Sequence, residues 1–167
     1  MLILAKLAAI AALVALNAFF VACEFSIIKV RTTQLDALLE EGDLRARFAK
    51  HVRAHLDAYL SATQLGVTLA SLALGWIGEQ SLVSLLQPAL GVVHIYSYAV
   101  ATAIAATLAF VGITFSHIVI GELAPKYIAI SDPLPVALRF MPPLRGFYVL
   151  FESAVGLPST LSNFPFP

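Results

Sequence analysis

Residues 95–126 read IYSYAVATAIAATLAFVGITFSHIVIGELAPK. From Ile95 to Gly121 there is no Lys, Arg, Asp or Glu, and then Glu122, Pro125 and Lys126 arrive together. Such an uncharged run is long enough to cross a bilayer, whose hydrocarbon needs roughly 20 apolar residues as a helix. Pro125 has no N–H, so the Gly121 carbonyl, four residues earlier, loses its helical donor and the helix bends. The passage reads as a membrane span over about 95–131, kinked at Pro125, with a released carbonyl beside the Glu122 carboxylate.

Two more spans follow outward from this one. Ala58 to Gly78 is 21 residues without a charge, about 31 Å of helix, and starts a span over about 58–86. A turn around Gln87, Pro88, Gly91 and His94 joins it to the third span. Leu2 to Ile28 is apolar except for Lys6, Asn17 and Glu24; it outruns a signal-peptide core and reads as a retained span over 2–28. Between the first and second spans, 31–57 is rich in charge. Leu35, Leu38 and Leu39, then Leu44 and Phe48, recur at helical spacing around Gly42, which predicts two short amphipathic helices at the membrane surface. The segment 134–157 is broken by Arg139, Pro142, Pro143, Arg145 and Glu152; it predicts an amphipathic juxtamembrane helix, not a fourth span, followed by a tail at 158–167.

Composition agrees. With 60% hydrophobic and 12% charged residues and a mean hydropathy of +0.90, the chain is far from a soluble domain, where about 25% of residues are charged. The fold class is an all-α integral membrane protein with three transmembrane helices. Ten Lys and Arg balance ten Asp and Glu, which argues against a nucleic-acid partner. The single Cys23 allows no intrachain disulfide, and nothing around it has zinc-ligand spacing; it reads as a small apolar packing residue. Nine of the ten cations follow the first span or the third, and only Lys6 lies at the opposite end. The positive-inside rule then puts the amino terminus outside and the carboxyl terminus in the cytoplasm; the expected location is a plasma (inner) membrane. Trp76, Tyr96, Tyr98, Tyr127 and Tyr148 suit interfacial anchors.

Polar residues inside spans mark either helix packing or a path for something polar. Ser61, Gln64, Thr68, Ser71, Gly75 and Gly78 are spaced 3, 4, 3, 4 and 3 apart, one stripe of the second helix. They form a small-residue packing seam or the wall of a cation path. Asn17 and Glu24, seven residues apart, share a face of the first span; Asn17 suits an interhelical hydrogen bond or a ligand, and Glu24 a ligand or a carboxylate paired with Lys29 or Arg31. Glu122, the Gly121 carbonyl and nearby hydroxyls offer the hard oxygens that a divalent cation requires. The competing role of Glu122 is an i,i+4 pair with Lys126. His117 reads as a hydrogen-bonded packing residue.

Together, Asn17-Ala-Phe-Phe-Val-Ala-Cys-Glu-Phe-Ser26, Val30-Arg31-Thr-Thr-Gln-Leu35, Tyr59-Leu-Ser-Ala-Thr-Gln-Leu-Gly-Val-Thr-Leu-Ala-Ser71 and Gly121-Glu-Leu-Ala-Pro-Lys126 resemble the transmembrane domain of the CorC/CNNM family of magnesium transporters, over roughly residues 2–157. The resemblance implies a three-span homodimer in the lipid bilayer, with a cytoplasmic helical hairpin after the first span and a juxtamembrane helix after the third. It implies Mg2+ efflux as secondary transport driven by Na+ entry. It implies a metal site at Ser26, Ser71, Gly121 and Glu122, with Asn17, Glu24, Ser61, Gln64 and Thr68 as a second tier of the ion pathway. Family members usually continue into paired cytoplasmic CBS domains; the chain stops at Phe164-Pro-Phe-Pro167, so a fragment without those domains is expected. A non-transporting membrane-embedded Mg2+ sensor or dimeric anchor is the alternative. An intramembrane hydrolase is disfavoured: Ser116 and His117 are adjacent rather than facing, and neither HExxH nor GxSxG occurs, so no enzyme is expected.

Overall fold

The computed structural model describes residues 2–78, 81–86 and 98–162. The turn expected around Gln87, Pro88, Gly91 and His94, and the anchor Tyr96, lie outside these residues. The described residues are helical throughout, joined by very short links. Helix α1 is Leu2–Lys29, α2 Thr32–Glu40, α3 Leu44–Ala54 and α4 Leu56–Ala73, which runs on as a π-helical turn, Leu74–Gly78. Residues 81–86 are again helical. Then come α5, Tyr98–Ser116, a π-helical stretch, His117–Leu123, α6, Ala124–Ser131, and α7, Pro133–Ser162.

Three stretches are long and apolar enough to cross a membrane: Leu4–Lys29, Leu56–Leu86 and Ala99–Ser131. The protein is therefore a multi-pass membrane protein, as its hydropathy predicts. The irregularity expected at Pro125 takes a particular form. The helix widens into π winding over His117–Leu123, and α6 restarts at Ala124 with Pro125 in its first turn. A helix start is where a missing N–H is tolerated. Helix α7 extends through Ser162, so the helix runs into the segment expected to be a tail.

The first span is the hub, packing against α4, α6, α7 and the second π stretch. It packs tightly on α4 at Gly66, where a Cβ would stand 2.5 Å from the Phe20 ring. The main core does not lie between the spans at mid-height. It gathers at one end, where Phe20, Cys23, Ile27 and Val30 of α1 meet Leu35, Ala49 and Val52 of the α2–α3 hairpin, Tyr59 of α4 and Met141 and Leu144 of α7. Spans surrounded by lipid need not bury their apolar faces, whereas α2, α3 and α7 have one apolar face each and must cover it. Tyr59 is wholly buried there, its ring 4.6 Å from that of Tyr148, so Tyr148 packs inward beside it. Trp76 and Tyr127 are exposed, as interfacial anchors are.

The hairpin is closed by local chemistry. Gly42 takes φ +85° in the turn, a conformation that costs a residue with a Cβ. Asp43 caps α3 by accepting from the Arg45 N–H at 2.8 Å, and Lys50 pairs with Asp36 across the two helices at 2.6 Å. A single residue, His55, separates α3 from α4, and a single residue, Asp132, separates α6 from α7.

Two outcomes follow. Gly66→Ala drives a methyl into the Phe20 ring and destabilises the α1–α4 contact by about 1–3 kcal/mol, read as a lowered unfolding midpoint in detergent. Hydrogen bonds from the Arg45 side chain and backbone hold the Asp43 carboxyl below the usual carboxylate range. Its contribution is complete above about pH 4 and is lost as the pH falls below that. Protection of the Arg45 and Ala46 amides, measured against their intrinsic exchange rates, falls as the pH drops through this range, and in Asp43→Ala it is low at every pH.

Candidate cation site

Asn17 stands halfway along the first span and is only 1% exposed. A buried amide must find partners, and it finds them on both other spans. Its Nδ2 donates to the Gly121 carbonyl at 2.9 Å, and its Oδ1 accepts from the Ser71 hydroxyl at 3.4 Å. The same hydroxyl lies 3.4 Å from His117 Nε2. In the Nε2–H tautomer the His117 ring donates to the Ser71 oxygen while the hydroxyl donates to Asn17. Gly121 makes this junction possible: a Cβ there would lie 3.0 Å from His117 Cδ2 and 3.3 Å from Asn17 Nδ2.

The carbonyl that Pro125 releases is thus not idle but held by Asn17. Both π-helical stretches flank this point, Leu74–Gly78 after Ser71 and His117–Leu123 around Gly121. π winding misaligns backbone carbonyls from their helical donors and recurs at functional sites. A cavity of about 230 Å³ opens beside the junction, bordered by Ser71, Gly75, Thr114 and His117 among apolar side chains.

The other expected ligands lie apart from this junction. Ser26 is fully buried, and its hydroxyl donates to the Cys23 carbonyl at 3.0 Å. Nine residues beyond Asn17, it sits about 13 Å along α1 and on the opposite face. Glu122 is exposed. Glu24 is half-buried, within electrostatic reach of Lys126 and Glu122. Lys126 lies over the Phe25 ring at 4.6 Å from its centroid. Among the described residues, ion pairs join Asp43 to Arg45 and Asp36 to Lys50, and none joins Glu122 to Lys126.

The stripe on the second span is turned differently from a bundle-lining wall. Gln64, Thr68 and Gly75 are exposed, and the inward face of α4 is Tyr59, Ala62, Thr63, Gly66 and Ala70. Ser61 and Thr68 donate to the carbonyls of Asp57 and Gln64 in their own helix. Ser71, at the edge of the stripe, is the member that reaches Asn17. Spacing establishes that residues share a face, and the Phe20 ring, which admits only glycine opposite it, decides which face turns in. His117 was legible as a packing residue but not as a member of this junction; the signal was its position one turn before Gly121. Among the described residues no three His, Cys, Asp or Glu side chains cluster as a metal site. A cation held here would rely on hydroxyl, amide and carbonyl oxygens, with one or two carboxylates at the margin.

Residues 8–166 match the model of the cyclin M transmembrane N-terminal domain, CNNM. The chain belongs to the CNNM family. It is 48% identical over 144 residues to the UPF0053 protein YhdT of Bacillus subtilis, covering 84% of this chain and 30% of that protein. It is 42% identical over 151 residues to the UPF0053 protein YugS of the same organism, covering 89% and 34%. It is 36% identical over 151 residues to the uncharacterized protein Rv1841c of Mycobacterium tuberculosis, covering 90% and 42%. The CNNM domain described here thus spans about a third of the length of such relatives.

Replacing Asn17 with Leu strands the Ser71 hydroxyl and the Gly121 carbonyl in a buried setting, at a cost of about 1–3 kcal/mol for an orphaned polar group. The unfolding midpoint falls in Asn17→Leu and recovers at most in part in the double variant Asn17→Leu/Ser71→Ala, because the Gly121 carbonyl stays without its donor.

Proposed function

We propose that this CNNM domain is the membrane-crossing part of a magnesium transporter, exporting Mg2+ by secondary transport coupled to Na+ entry. The observation that carries the reading is the junction of all three spans at Gly121, where π-wound backbone, an amide and a hydroxyl converge at membrane depth. Irregular backbone in a bilayer is tolerated where it lines a cavity, and neutral oxygens with a single carboxylate hold a cation weakly enough to release it.

In this reading Ser71, the Gly121 carbonyl and Glu122 are the Mg2+ ligands at the junction, and Ser26, about 13 Å along α1 and on its opposite face, is a ligand at a separate point on the ion's path. Gly121 keeps a second carbonyl lone pair while Asn17 holds the first. Ser26 would exchange its bond to Cys23 for the ion, and Glu122 would swing inward from the surface, so loading and conformational change are one event. Asn17, Glu24, Ser61, Gln64 and Thr68 form the second tier, where similar hard oxygens would serve Na+. Mg2+ gives up water reluctantly, which favours a site that replaces only part of its shell. The outward Gln64, Thr68 and Gly75 suit a homodimer contact, because small and amide side chains let spans approach in lipid. Orientation with the amino terminus outside and the α2–α3 hairpin in the cytoplasm follows from the cation distribution. Regulatory CBS domains would act from the cytoplasmic side of α7.

Proteoliposomes with an imposed Na+ gradient test this directly. Wild type carries Na+-dependent Mg2+ flux, Glu122→Ala and Ser71→Ala lose it, and Asn17→Ala falls by roughly tenfold or more, as expected for a group that orients a ligand. Unchanged flux in Glu122→Ala and Ser71→Ala would overturn the site. Mg2+ binding without flux in wild type would favour the alternative, a membrane-embedded sensor or dimeric anchor.

A further inference from the structure

At the end of the bundle that carries the α2–α3 hairpin, a cavity of about 480 Å³ opens between the feet of the first and third spans. Lys29, Arg31 and Gln34 border it on one side, and Ser131, Asp132 and Leu134 on the other. Lys29 and Arg31 are exposed, and among the described residues the ion pairs are made by Arg45 and Lys50, not by these two. Two cations and one carboxylate leave the cavity with one net positive charge. A phosphodiester monoanion neutralises that charge, and Arg offers a planar fork that matches its oxygens where Lys offers a point charge.

The depth of the cavity says where such a phosphate would come from. Lys29 is the last residue of the first span and Ser131 the last of the third, so the cavity sits where hydrocarbon gives way to headgroups. Apolar side chains beside these polar groups are open: Ile28, next to Lys29 in the chain, is 43% exposed, and Ile130, which borders the cavity, 41%. A free anion has no use for that wall, but acyl chains cover it. We propose that this cavity holds the phosphodiester headgroup of a membrane phospholipid, with Lys29 and Arg31 on the phosphate and the acyl chains along Ile28 and Ile130. Asp132 then faces the polar end of the headgroup, accepting from its hydroxyl or ammonium. The inference needs only the membrane-spanning fold and is independent of the Mg2+ reading.

The test uses the delipidated protein in detergent with added phosphatidylglycerol, phosphatidylglycerol-free phosphatidylcholine, or inorganic phosphate. Native mass spectrometry counts retained lipid, and the unfolding midpoint is followed in parallel. Wild type retains phosphatidylglycerol and gains thermal stability from it, while millimolar inorganic phosphate gives no shift. Lys29→Gln/Arg31→Gln retains less by on the order of tenfold, the effect of two interfacial cations, whereas Arg47→Gln/Arg53→Gln, with the same loss of charge on α3, behaves as wild type. Equal retention by the Lys29/Arg31 variant and wild type overturns the proposal, as does equal loss in the Arg47/Arg53 control, which would show a general charge effect. A shift reproduced by inorganic phosphate alone overturns the lipid as its source.

Discussion

The hydrogen bond from Asn17 to the Gly121 carbonyl ties the first span to the third within the stretch where the third leaves regular α-helical pairing. Its strength comes from its surroundings: both groups are buried, so separating them costs more than the net value of an exposed bond. Pro125 removes the in-helix donor, π winding over His117–Leu123 takes up the mismatch, and Asn17 supplies the donor that the sequence around Gly121 lacks. Ser71 then completes the Asn17 amide from the second span. One side chain on the hub helix thereby specifies how all three spans register against one another.

Packing reinforces that registration at a different level. The contact of Phe20 with Gly66 lies one turn beyond Asn17 on the first span, and below it the burial passes to the hairpin and α7. In water a domain hides its apolar faces between its longest helices. Here the spans display much of their apolar surface, and the core gathers at one end of the first span, against the α2–α3 hairpin, the start of α4 and α7. Tyr59, Leu35, Val52 and Met141 are wholly or almost wholly buried although each lies outside the uncharged middle of a span.

The all-helical character and the three membrane spans were readable because they depend on run length and charge, quantities local to the chain. Pro125 was readable as a distortion because its missing N–H is a property of one residue. What was not readable is rotation about each helix axis. Gln64 and Thr68 share a face with Ser71, yet the face that turns in is chosen by the bulk of Phe20 and the absence of a side chain at Gly66, a complementarity between residues far apart in sequence. The same limit applies to Ser26, whose hydroxyl is satisfied within its own helix, and to His117, whose membership of the junction depends on how the third span rolls against the second.

The links between helices give the molecule little slack. One residue, Asp132, joins the foot of the third span to α7, and one, His55, joins α3 to α4; a single extended residue reaches only about 3.5 Å. A rod hinged so tightly behaves as a crank: any roll or piston stroke of α6 must be passed to α7 rather than absorbed. Because α7 also packs on α3 and α4, such a stroke reaches the second span through a loop of contacts that closes on itself.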